Sequence, residues 1–147
     1  LKRFRYRFET LLKVRKIRED LAQQEFSRIQ RHLDDLEKLK GARHSQRSLA
    51  GRQLTEKMGG GIRSFEVESY HSYLSHLEAE IGRLEELMAQ AARQLEEKRG
   101  ELIAAKRELK VMERLRDIDL DRHLAEQSRE DLRFMDEIAI QRHGGRQ

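Results

Sequence analysis

With 39% charged and 5% aromatic side chains, and no Trp, Pro or Cys, this 147-residue chain cannot build a thick globular core, a disulfide or a thiolate metal site. The net charge is +4, no apolar run approaches the length of a membrane-spanning helix, and no signal-peptide stretch follows the basic N-terminus. The composition predicts an elongated, nearly all-helical protein of the cytosol, with no transmembrane insertion.

The first distinctive stretch is Arg3-Phe4-Arg5-Tyr6-Arg7-Phe8, in which cations and aromatics alternate. Such a run can stack on bases while contacting phosphates, or sit on an anionic membrane. It can equally cap the end of a helical hairpin with its aromatics and leave its arginines to water or to an acidic partner. The last reading is preferred. Residues 117–137 are rich in Asp and Glu, and beside the arginines they would repel phosphate.

A first helix is predicted over about 8–55. Its seam reads Leu11, Val14, Ile17, Leu21, then Phe26, Ile29, Leu33, Leu36 and Leu39, with a slip between Leu21 and Phe26 that Ala22 can bridge. Gly41 and Gly51 weaken the pattern, and Gly59-Gly60-Gly61 breaks it. A turn is expected at about 56–63, with Ser64 capping the next helix.

The second helix is predicted over about 64–142. Val67, Tyr70, Leu74, Leu77, Ile81, Leu84, Met88, Ala91 and Leu95 alternate in steps of three and four, and after Lys98 the ladder resumes at Leu102, Ala105, Leu109 and Met112. This is the heptad seam of a coiled coil. The expected fold class is all-α: an antiparallel two-helix coiled-coil hairpin, one domain over 1–147, with the second helix overhanging the first. With the turn centred near Gly60, Leu36 should face Leu84, Leu11 should face Leu109 and Phe8 should face Met112. Residues beyond about Arg116 would then have no partner within the chain and would await an external one.

Little in the sequence can carry chemistry. The histidines have no HExxH arrangement, and no GxxxxGK[ST] or GxGxxG loop is present. Carboxylates abound, but a two-helix rod has no pocket to shift their pKa values. No catalytic residue, cofactor or metal site is expected, and the chain reads as not an enzyme. Tyr70 lies on the seam. Tyr73 and Leu77 form a shoulder near the turn that serves either packing or a partner.

Three stretches resemble the flagellar export protein family FliJ. They are Phe4-x-Tyr6-x-Phe8-Glu9-x-Leu11-Leu12-x-x-Arg15-x-x-x-Glu19, then Gly60-Gly61-Ile62 with Tyr70-x-x-Tyr73-Leu74-x-x-Leu77-Glu78, and finally Met135-Asp136-Glu137-Ile138-Ala139. The resemblance implies a coiled-coil, stalk-like adaptor of the flagellar type III export apparatus. Its implied partners are the hexameric export ATPase, the cytoplasmic part of the export gate and export chaperones. Its implied place is the cytoplasm, peripheral to the inner-membrane export apparatus. Carried over by position, ATPase contacts fall at Phe4, Tyr6, Phe8, Met135, Asp136 and Glu137, and gate contacts at Tyr73 and Leu77. The chain itself would be a monomer or weakly self-associating. The alternatives are the equivalent stalk of an injectisome, a self-associating coiled-coil scaffold, or a nucleic-acid-binding hairpin arm.

Overall fold

The computed structural model describes residues 2–145. Two helices pack against each other as a hairpin: α1, Glu9–Gly59, and α2, Ser64–Gly144. Among the described residues there is no strand. Two compact units divide the chain, one of Leu1–Leu21 with Ile103–Gln147, the other of Ala22–Leu102.

In the unit Ala22–Leu102, Ile29, Leu36, Ala50 and Leu54 of α1 are buried, as are Leu77, Ile81, Leu84, Ala91 and Leu102 of α2. Leu36, Leu84 and Ala91 form one cluster, flanked by Leu33 and Met88, so the expected pairing of Leu36 with Leu84 is present. Between Leu36 and Ala50 the seam positions of α1 are Lys40, Arg43 and Arg47. Their charges reach across to α2: Lys40 to Glu85 at 3.4 Å, Arg43 to Glu80 at 2.7 Å and Arg47 to Glu78 at 2.7 Å. Aliphatic stems close the seam while the charged heads stay near water. This is why apolar periodicity fades there although the helix does not. These pairs put the symmetric point of the hairpin near Ile62 rather than Gly60.

At the turn, the Gly60 N–H donates to the Lys57 carbonyl at 3.2 Å, and Gly61 has φ 82°, a left-handed conformation suited to glycine. The expected Ser64 cap is not formed. Ser64 is already helical, and the carbonyl of Arg63 accepts the first helical bonds, from Glu66 at 3.0 Å and Val67 at 3.2 Å.

In the unit that holds both chain ends, the buried residues are Tyr6, Leu12 and Met112, with Phe4 and Leu109 packed against them. The predicted seam is displaced here. Leu11, Val14, Ile17 and Leu21 are exposed, and Leu12 is buried in their place. Read from Leu12, the steps run to Arg15, Glu19, Ala22, Phe26, Ile29, Leu33 and Leu36 without a slip. The slip between Leu21 and Phe26 therefore does not exist. It came from following an apolar stripe that does not face α2. The expected contacts of Leu11 with Leu109 and of Phe8 with Met112 fall for the same reason: Leu12 and Tyr6 take those places.

The residues before α1 correct a second expectation, that α2 is unaccompanied after Arg116. They run back along α2, and the Lys2 carbonyl accepts hydrogen bonds from Gln127 Nε2 at 2.8 Å and from His123 Nε2 at 3.1 Å. A non-helical chain advances roughly twice as far per residue as a helix, so this short strap accompanies α2 from Met112 to Gln127. Among the described residues, no side-chain hydrogen bond or ion pair joins α2 beyond Gln127 to the rest of the chain.

Candidate partner-binding surfaces

The strap is held by side chains of both signs. The Phe4 ring centroid lies 5.5 Å from that of His123, and the Arg116 guanidinium stands 5.6 Å from the Phe4 centroid. Arg116 also donates through Nε to Glu9 at 3.4 Å. The Tyr6 hydroxyl donates to the Met112 carbonyl at 3.3 Å, and its ring meets Phe8 edge-on, with centroids 5.9 Å apart. Burial pushes the Tyr6 hydroxyl above its ordinary pKa; Asp119 and Glu9 add to the rise and Arg116 opposes it. Inside α2 the Met112 carbonyl also serves the helix's own hydrogen bonding, so the Tyr6 bond adds a second donor at its remaining lone pair.

Beyond the strap, α2 presents a different surface. Leu132, Phe134, Met135 and Ile140 are more than half exposed, on about two and a half turns of helix that also carry Arg133, Asp136 and Glu137 and follow Arg129, Glu130 and Asp131. Isolated helix in water is weakly stable without tertiary support, and consecutive exposed apolar side chains carry an unfavourable hydration cost. This stretch has the composition of a helix that docks.

The sequence-derived residues separate into two groups. Phe8, Met135, Asp136, Glu137 and Tyr73 are exposed and can touch a partner directly. Tyr6 is buried, Phe4 is partly buried where the strap meets α2, and Leu77 is the most enclosed large side chain, 2% exposed. In the unit that contains the turn, Tyr73 thus forms the accessible shoulder, and Leu77, four residues on along the same face, packs in the interior below it. Tyr70 is partly buried, with Lys57 Nζ 5.3 Å from its ring centroid.

No group of three or more His, Asp or Glu side chains among the described residues is placed to hold a metal ion. Among those residues, no helix is long and apolar enough to cross a membrane. The arrangement offers apolar and charged helix faces, which recognise other macromolecules by area and charge.

A family model described as Flagellar FliJ protein matches residues 4–147, from the strap to the last residue. The chain belongs to the FliJ family. FliJ membership makes it a flagellar export-related protein and agrees with the helical hairpin. No curated protein and no solved structure matches the chain.

Two features escaped the sequence reading of this FliJ chain. One is the strap, whose alternating pattern gives no sign that Lys2 would be bonded through its backbone. The other is the exposed stripe of Leu11, Val14 and Leu21. Its signal was present: the unbroken ladder of threes and fours through Leu12, which the polar Arg15 and Glu19 hide.

Proposed function

We propose that the chain is a non-enzymatic, stalk-like adaptor of the flagellar type III export apparatus, engaging the hexameric export ATPase through the unit that holds its termini. The observation that carries this reading is the unaccompanied stretch of α2 beyond Gln127, with Leu132, Phe134, Met135 and Ile140 exposed. Met135, Asp136, Glu137 and Phe8 are the direct contacts, and Phe4 and Tyr6 act by holding the strap that shapes the surface beside them. Tyr73, supported by Leu77, engages the cytoplasmic part of the export gate, and export chaperones are further partners. The chain works in the cytoplasm, at the periphery of the inner-membrane export apparatus.

A helix that binds one state of an ATPase ring better than another shifts the ring toward that state, and turnover changes by that difference in affinity. The chain itself performs no chemistry. The test is nucleotide turnover by the flagellar export ATPase of the same organism, with and without the purified chain. Turnover should rise with the full chain and return to baseline when residues 130–147 are removed. Unchanged turnover with a fully helical chain that does not co-migrate with the ATPase would refute the reading.

A further inference from the structure

In the unit that holds the chain ends, α2 carries a second apolar row, distinct from the one that meets α1. Ala104, Val111, Ile118, Ala125 and Leu132 recur at every seventh position. The inner row of the same helix, Leu102, Ala105, Leu109 and Met112, is buried or partly buried. All five residues of the outer row are exposed, the three large ones from 40% at Ile118 to 62% at Leu132. A strict seven-residue repeat drifts about 20° per heptad around a straight α-helix. Over four heptads such a row turns away from a flat surface such as a bilayer, whereas a second helix that winds with it stays in contact. The occupant that fits is therefore a helix.

Size and charge say which helix. Laid antiparallel on a second copy, with Ile118 on the two-fold axis, Val111 comes level with Ala125 and Ala104 with Leu132. Each small side chain then opposes a larger one and the layers fill evenly. A parallel pairing would set Ala against Ala and Leu against Leu. Beside the stripe run Arg107, Arg114, Asp121 and Ser128 on one flank, and Glu108, Leu115, Arg122 and Arg129 on the other. In the antiparallel register each flank meets its own counterpart. Arg114 comes level with Asp121 of the second copy and Arg129 with Glu108, each pair occurring twice. Arg107 lies opposite Ser128 and Arg122 opposite Leu115, and both keep their water. Within one chain Glu108 is bonded to Arg15, and among the described residues the other five charged side chains of these flanks have no ion pair. The opposing charges are Asp117 and Asp119, each nearest its own counterpart. They stand about 100° to either side of the stripe, at the margin, where salt screens them. The other charges at that margin, Lys110, Glu126, Asp131 and Arg133, come level with apolar residues.

We propose that the outward row of α2, residues 104–132, pairs antiparallel with the same row of a second copy of the chain, Ile118 against Ile118. The interface is isologous and closes as a dimer. The apolar layers supply the attraction, and the flanking ion pairs fix direction and register. The pairing stands on this face of α2 alone and does not depend on the adaptor reading.

The chain has no cysteine, so introduced thiols report contacts without background. Chains carrying Ile118→Cys, on the axis, should oxidise to a covalent dimer. Val111→Cys chains and Ala125→Cys chains should each stay monomeric when oxidised alone and should cross-link when mixed. In sedimentation equilibrium, Arg114→Asp should weaken association about tenfold, because two ion pairs become two repulsions. Adding Asp121→Arg to the same chain exchanges the two signs and should restore it. The proposal is overturned if the cysteine-free chain stays at monomer mass up to its solubility limit while fully helical by circular dichroism. It is equally overturned if Val111→Cys chains cross-link alone as readily as with Ala125→Cys chains. It also falls if the double charge variant associates no better than Arg114→Asp. No readout involves the ATPase, so failure here is separable from failure of the adaptor reading.

Discussion

Tyr6 shows how one side chain fixes a segment that has no secondary structure of its own. Its ring lies in the small cluster with Leu12 and Met112, while its hydroxyl reaches the Met112 carbonyl at 3.3 Å. Tyr6→Phe keeps the ring and removes the donor. The carbonyl retains its helical partner, so no buried group is orphaned and the loss should be slight. Tyr6→Ala removes the ring as well and should free the strap, read as faster exchange of the Gln127 side-chain amide, whose partner is the Lys2 carbonyl, and a lower Tm. The raised pKa gives this contact a direction in pH. The neutral hydroxyl is the form the fold favours, so its stabilisation is complete below the ordinary tyrosine value of about 10 and is lost as pH rises through the higher folded value. In an ultraviolet titration of the folded chain, the Tyr6→Phe variant should lack the latest-ionising tyrosine. If the tyrosine lost in that variant is one that ionises early, the enclosure of Tyr6 is wrong.

At the scale of the helices, the hairpin was legible because both long ladders follow coiled-coil spacing, and α2 was read correctly from Val67 to Met112. The first turns of α1 were not, because there the more apolar stripe, Leu11, Val14, Ile17 and Leu21, faces outward, and the seam carries Arg15 and Glu19. Hydrophobicity alone selects the wrong face when the sequence serves two surfaces. Two substitutions separate these faces. Leu12→Ala should cost about 2–5 kcal/mol, as truncation of a buried leucine does, and Leu11→Ala should stay within about 0.5 kcal/mol in dilute solution. Equal losses in thermal melts would mean that Leu11 shares the core. Glycines give a second contrast, in sign. A Cβ at Gly41 would meet nothing within 4 Å, and the helix runs straight through it, so Gly41→Ala should stabilise by about 0.5–1 kcal/mol. Gly61→Ala has the same open space but a φ of 82°, and should destabilise. The sequence marked both residues as weak points, yet only the conformation tells which is a turn and which is a tolerated gap in a helix.

For the whole molecule, family membership was readable from motif order, whereas the accessibility of each motif residue was not. Leu77 and Tyr6 belong to the same motifs as Tyr73 and Phe8, but burial assigns the first pair to the interior and the second to the surface. That difference sharpens the test of separate partner surfaces. Tyr73 lies in the unit Ala22–Leu102, and the acidic end of α2 lies in the other unit. Tyr73 is 44% exposed and its truncation opens no core cavity, so Tyr73→Ala should leave helicity and Tm unchanged. If the gate contact is at Tyr73, pull-down by the cytoplasmic part of the export gate should fall while stimulation of the ATPase persists. Removal of residues 130–147 should do the reverse. Leu77→Ala serves as the control for structure: it empties a position that is 2% exposed and should lower Tm by the margin of a buried leucine before it affects any partner. A Tyr73→Ala chain that stays folded but loses both activities would show that the two partners do not use separate surfaces. A chain that loses neither would remove Tyr73 from the gate contact and leave the shoulder as packing alone.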